Sequence, residues 1–467
     1  MAVSSARNET IWISADEAAH RLGVSKPTLY AYVSRGKIRR TLAEDGRRSR
    51  FNAAEVATLG RGKPKPPTPG MTELRLASAV TRIDETGLFY RGVPIGSLLG
   101  SKSFEEVAAL LWQHEPPSWV ADQELIDQIV AFRTVSVQAP QSDPRSQSRA
   151  STARSRTAQG RAPLMLTGPI SASLRDPSVG PFPTGKPDWG PGHRPGQAAS
   201  QLAQLVLQLG YLKSELEAVE SMQHYEHGVG SDLDVVPKRT AEILGVLSAS
   251  LPGVRKADRT VAARLWRHLS KRAPRSGELE LIDAALVALA DHELATATLA
   301  VRLAASTRAD LYAAIASGLT VLTGPLHGSA SAGCYRMLAS AFVSGRPSRA
   351  VDEAVADFGL VHGFGHKVYK NSDPRSVALL RLLQQADVDR AKRSAVDAVL
   401  VEVKGRIPQP DNIDFALGAI TLCCDLPPSA GELLFCFARI AGWAAHYTEE
   451  LAEPPLRFRV RAVYQGE

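Results

Sequence analysis

Apolar residues recur at three- and four-residue spacing from Met71 onward, most plainly in Phe104–Trp112 (FEEVAALLW), Ala284–Thr307 and Leu434–Tyr447. That period gathers them into one stripe of a helix, which must be buried against other helices. Strands do not alternate with helices as a parallel sheet requires, and no 20–50-residue unit repeats. The pattern therefore predicts a mainly α body, and 467 residues suffice for a large core and more than one domain. One stretch departs from it. Ala77–Tyr90 (ASAVTRIDETGLFY) alternates with period two and predicts a small hairpin about Glu85-Thr86-Gly87.

Charge divides the chain differently. Residues 1–66 hold 13 Lys+Arg against 6 Asp+Glu, so the whole formal +7 lies there and the remainder balances at 42 of each sign. Such segregation points to a small module for a polyanion joined to a neutral body. Ser14-Ala-Asp-Glu17 has capping-box spacing and opens a helix through Leu22. Ser25 can cap a second helix with Pro27 in its first turn and Gly36 as its stop. Asp45-Gly46 then marks a tight turn between basic residues, and Ala53–Leu59 reads as a closing helix. The segment WISADEAAHRLGVSKPTLYAYVSRGKI (Trp12–Ile38) resembles the winged helix-turn-helix of the MerR and excisionase type. The resemblance implies that the second helix enters a DNA major groove, with Lys26, Thr28 and Tyr30 as base or backbone contacts. Arg47, Arg48 and Arg50 on the wing become phosphate contacts. A helical pair that docks another protein is the competing reading.

The organisation expected is therefore a DNA-binding module over 1–66, a proline-rich linker over 67–73 and a body over 74–467. Within the body, 136–200 is read as a disordered low-complexity insertion, because Pro140–Pro195 carries 10 of the 30 prolines and little that could form a core. No apolar run is long enough to span a bilayer, and the start lacks an apolar signal core. Cys334, Cys423, Cys424 and Cys436 lack metal-ligand spacing, so buried free thiols in a reducing cytoplasm are expected, with no metal and no cofactor.

Three glycine-punctuated segments carry the chemistry: GPLHG at Gly324–Gly328, HGFGHKVYKNSDPR at His362–Arg375, and NIDF at Asn412–Phe415. Two histidines and an aspartate in such settings can remove a proton from carbon and polarise a carbonyl. With TGLFYRG (Thr86–Gly92), SFEEVAALLW (Ser103–Trp112), ADHELATATLAVRLAAST (Ala290–Thr307), FARIAGWAAH (Phe437–His446) and RVRAVYQG (Arg459–Gly466), they resemble citrate synthase, in that family's order. The likeness covers Leu74–Trp112 and Leu281–Gly466.

The resemblance implies an all-helical body of a large and a small domain, the small one roughly 330–435. It implies condensation of acetyl-CoA, or propionyl-CoA in a 2-methylcitrate synthase, with oxaloacetate. Asp414 becomes the base for the acyl α-proton, His327 the hydrogen-bond partner of the enol oxygen, and His366 the acid at the oxaloacetate carbonyl. His292, Arg375, Arg439 and Arg459 become the oxaloacetate ligands, Arg459 reaching across a homodimer. His446 is read as structural. The chain departs from the family pattern at Ser329-Ala330-Ser331 and at Arg459-Val460-Arg461. A metabolite-sensing regulator is the rival class; retention of Asp414 speaks for an enzyme, because binding oxaloacetate needs no base.

Overall fold

The computed structural model describes residues 12–22, 26–34, 38–43, 49–53, 55–56, 75–84, 87–119, 122–138, 196–221, 235–324, 330–459 and 464. They form two compact units, 1–77 and 78–467.

In the first unit, β1 (Trp12–Ser14) leads directly into α1 (Ala15–Leu22), and α2 (Lys26–Ser34) follows. Ser14 Oγ accepts from Glu17 N at 3.2 Å, the helix start that the sequence predicts. β2 (Arg40–Leu42) and β3 (Ser49–Asn52) pair antiparallel as the wing, and β1 joins β3 on its other edge, giving the order β1-β3-β2. Ile13, Ala18, Ala19, Leu29, Ile38, Phe51 and Val56 close the core. The helix predicted over Ala53–Leu59 begins at Ala53; its last three residues lie outside the described residues, as does the linker over 67–73.

Among the described residues the regular elements of the second unit are helices apart from β4 (Thr81–Asp84), β5 (Gly87–Tyr90) and β6 (Val93–Pro94), an antiparallel sheet containing the predicted hairpin. Its helices are α3 (Ile95–Leu98), α4 (Phe104–Trp112), α5 (Gln123–Gln138), α6 (Gln197–Ser221), α7 (Val235–Ala249), α8 (Val261–Leu269), α9 (Glu278–Leu289), α10 (Thr296–Ser306), α11 (Leu311–Leu322), α12 (Ala330–Ser344), α13 (Pro347–Phe358), α14 (Pro374–Gln385), α15 (Arg390–Arg406), α16 (Ile413–Cys423) and α17 (Ala430–Leu451). The insertion expected over 136–200 is therefore trimmed at both ends, since α5 continues to Gln138 and α6 starts at Gln197. Residues 139–195 lie outside the described residues.

α17 organises the packing. It is buried along most of its 22 residues, as an all-round apolar helix must be, and contacts α4, α6, α7, α9, α10 and α11. Gly442 lets it approach the loop after α9: a Cβ there would stand 2.4 Å from Ala290 O and 2.4 Å from Asp291 Oδ1. Helices α12, α13, α15 and α16 pack on one another, and α14 lies against α9 and α16. All four cysteines are buried and unpaired. No helix among the described residues is long and apolar enough to cross a membrane.

Candidate active site

Two helix starts and two loops converge on one cluster. After α9, Asp291-His292-Glu293 turns the chain into α10, with Glu293 at φ +51°. His292 Nε2 lies 3.1 Å from Tyr369 Oη. The rings of His292 and His366 meet edge to face with centroids 5.2 Å apart, and His366 and Tyr369 lie at 4.8 Å. Tyr369 was not singled out in the sequence; only the fold puts it between the two histidines.

The His366 loop and the start of α16 are stitched together through backbone. Asn412 N donates to Gly363 O at 2.8 Å, Gly365 N donates to Pro410 O at 2.8 Å, and Asn412 Nδ2 donates to Gly365 O at 2.8 Å. Gly363 has φ +84°, and a Cβ on it would stand 2.6 Å from Cys334 Sγ and 2.8 Å from Phe415 Cβ, so glycine is required there. Asn412 caps α16 by accepting from Asp414 N at 2.9 Å, which places the Asp414 carboxylate in the first turn.

Asp373 caps α14 and holds Arg375. Its Oδ1 accepts from Arg375 N and Nε, both at 3.0 Å, and its Oδ2 accepts from Arg375 Nη2 at 2.8 Å and from Ile413 N at 3.1 Å. One buried carboxylate thus anchors the guanidinium and the helix that carries Asp414. Its sequence signal is the Asp-Pro pattern of a helix start, within the motif that ends at Arg375. Arg439, on α17, is also buried. Its Nε donates to Leu289 O at 2.9 Å, and its guanidinium makes no other hydrogen bond to a described residue.

Electrostatics follow from burial around these two cations. Burial pushes the Asp414 carboxyl up to about 6, against the pull of Arg375 and with the help of Asp373. Burial, then Arg375 and Arg439, hold His292 well below the usual imidazole range. Burial and Arg375 lower His366. For Asp373, burial acts upward, but Arg375 and two backbone amides more than offset it. His366 Nδ1 accepts from Val368 N at 3.1 Å and Tyr369 N at 3.3 Å, so in the neutral ring the hydrogen sits on Nε2.

His292, His366, Arg375, Arg439 and Asp414 are therefore brought into one electrostatic neighbourhood. His327 lies outside the described residues, and Arg459 is exposed beyond α17. In the first unit, Lys26 is exposed and pairs with Asp16 at 2.6 Å. Tyr30 is exposed, with Arg40 over its ring at 5.7 Å, and Arg50 is exposed on β3. Thr28 lies on α2, while Arg47 and Arg48 fall outside the described residues.

Fold and cluster together define a helical protein in which two histidines, two buried arginines and an aspartate share one neighbourhood. The chain belongs to the citrate synthase family: the family model described as "Citrate synthase, C-terminal domain" matches residues 70–157 and 196–460. A second model, "Helix-turn-helix domain", matches 12–59. Citrate synthase of Synechocystis sp. is 32% identical over 205 residues, 43% of this chain and 51% of its own length, so the alignment spans about half of that relative. Citrate synthase 2 of Bacillus subtilis is 25% identical over 392 residues, 83% of this chain and 93% of that one. The crystal structure of citrate synthase from Pyrobaculum aerophilum covers 84% of this chain and 91% of its own with a TM-score of 0.58 at 21% identity, a likeness of fold.

Proposed function

We propose that the body condenses acetyl-CoA with oxaloacetate and releases citrate and CoA. The carrying observation is the pairing of a carboxylate raised to about 6 with a neutral Nε2–H imidazole beside two buried guanidiniums. Asp414 takes the methyl proton of the thioester, and the resulting carbanion equivalent attacks the oxaloacetate carbonyl carbon. His366 gives that carbonyl oxygen its proton as the carbon–carbon bond forms. Water then cleaves the citryl thioester. His327 supports the enol oxygen in the first step. Arg439 has guanidinium donors without a described partner, and Arg375 lies beside it in charge. Their planar forks suit the two carboxylates of oxaloacetate, with His292 alongside. Arg459 acts in trans in a homodimer, a role supported by its exposure in the single chain. No metal or cofactor is assigned a step. The four unpaired buried thiols support a cytoplasmic location.

A thiol-release assay tests this reading. CoA is expected to appear only when oxaloacetate is present. Acetyl-CoA is expected to outpace propionyl-CoA about 10-fold or more, within the range for one methylene in a pocket. Faster turnover of propionyl-CoA reassigns the donor and makes the chain a 2-methylcitrate synthase. Oxaloacetate-independent release, or none with either donor, leaves the metabolite-sensing regulator.

The N-terminal unit is proposed to bind duplex DNA, supported by the helix-turn-helix match and by the concentration of positive charge in 1–66. For the full chain, affinity for random duplex is expected to fall log-linearly as salt rises from 50 to 200 mM, by about 10³-fold if roughly six phosphates are contacted. Affinity that does not change with salt would favour the protein-docking role.

A further inference from the structure

Beneath His292 runs a connected series of buried polar groups that the proposed chemistry does not use. Asp291, Arg302, His446 and Glu450 are each 0% exposed. Asp291 Oδ2 accepts from Thr81 Oγ1 at 2.5 Å and from Glu293 N at 3.2 Å, and lies 3.3 Å from His446 Nε2. The bond to Glu293 N closes an Asx turn around His292, so the direction of this carboxylate sets the backbone that carries the imidazole. The same loop is pinned from its other side. Tyr90 Oη donates to Asp291 O at 2.9 Å and accepts from Asp291 N at 3.2 Å, and Gly442 N donates to Ala290 O at 3.0 Å.

The direction of the Asp291 carboxylate is itself determined further back. Arg302 Nη1 lies 3.2 Å from His446 Nδ1, and a guanidinium can only donate, so Nδ1 must accept. The ring hydrogen therefore sits on Nε2, where it is given to Asp291. Arg302 is held in turn by Glu449 at 2.7 Å and Glu450 at 2.8 Å, and Glu450 receives two bonds from Arg457 at 2.6 and 2.7 Å. Burying this many charges rarely contributes net stability over apolar packing of the same volume. An arrangement that ends on the turn around His292 calls for another role.

We infer that Asp291 and His446 are positioning residues: His446, locked in its Nε2–H tautomer by Arg302, orients the Asp291 carboxylate, and Asp291 sets His292 for oxaloacetate. The kinetic part of this inference rests on the proposed condensation.

The experiment uses the full chain with His446→Ala, His446→Gln and the near-isosteric Asp291→Asn. Glutamine keeps an N–H donor close to the Nε2 position. His446→Ala and Asp291→Asn are expected to raise KM for oxaloacetate about 10-fold, as loss of a group that orients a ligand does, while KM for the acyl-CoA stays within about 2-fold. His446→Gln is expected to recover most of the loss. Equal defects in the alanine and glutamine variants, or parallel rises in both KM values, overturn the inference. ¹⁵N-histidine spectra recorded without substrate provide a readout independent of turnover. The His292 resonances are expected to shift in His446→Ala and to remain near wild type in His446→Gln. Unshifted His292 resonances in His446→Ala overturn the positioning role. Shifted resonances in a chain that turns over neither acyl-CoA sustain it and refute the condensation instead.

Discussion

Asp414→Asn is expected to abolish turnover while making the protein more stable. Loss of a positioned general base lowers kcat by about 10²–10⁴-fold. Oxaloacetate binding is expected to persist, because Arg375, Arg439 and His292 are untouched. Stability moves the other way because Asp414 ionises at about 6 in the folded chain against 3.8 for the unperturbed group. A carboxyl raised on folding contributes stability below the lower value and loses it as pH rises through the higher one. At pH 8 the folded wild type therefore carries an ionisation penalty that asparagine lacks, at most ~3 kcal/mol for that displacement. The raised value already nets in the favourable helix-start dipole, so a gain of up to ~3 kcal/mol is expected. Denaturation of both proteins at pH 4 and pH 8 checks it: the gain should be present at pH 8 and absent at pH 4. Turnover above one tenth of wild type would exclude Asp414 as the base. In wild type, kcat/KM should fall as pH drops below about 6, as the base becomes protonated.

Asp373→Ala should produce the largest loss of stability. The substitution leaves the buried Arg375 without its counter-ion, removes the cap of α14 and strips Ile413 N of its acceptor. Breaking a buried pair from one side costs about 3–5 kcal/mol. The Asp373 carboxyl is held below its ordinary 3.8, so its contribution is complete above about pH 4 and is lost only as pH falls through the lowered value. Urea midpoints at pH 7 and pH 3 check this, with a large gap at pH 7 that narrows in acid. A gap of equal size at both values would mean that packing, not the ion pair, accounts for the loss. Oxaloacetate binding should weaken as well, since Arg375 loses its fixed orientation.

Local features were the most legible in the sequence. The Ser14 cap, the hairpin ending at Tyr90 and the helices each depend on residues a few positions apart, which sequence patterns register directly, whereas the caps Asp373 and Asn412 emerge only in the structure. The resemblance then selected His292, His366, Arg375, Arg439 and Asp414 as one site, something no spacing could do across those intervals. Partnerships were what escaped. β1 is three residues long and exists only by pairing with β3. His446 reads as structural in the sequence, but its partners Asp291 and Arg302 lie 155 and 144 residues away along the chain. Tyr369 reads as an ordinary loop residue until the fold sets it against His292. Such contacts are decided by helix packing, which a single sequence encodes only collectively.

The backbone bonds between the Gly363–Gly365 loop and Pro410–Asn412 have a mechanical consequence. His366 and Asp414 are mounted on one frame, whereas His292 belongs to the turn after α9 and Arg439 to α17. In the proposed condensation the proton donor and the proton acceptor therefore share one mount, and the Asp373 bond to Ile413 N ties Arg375 to it as well.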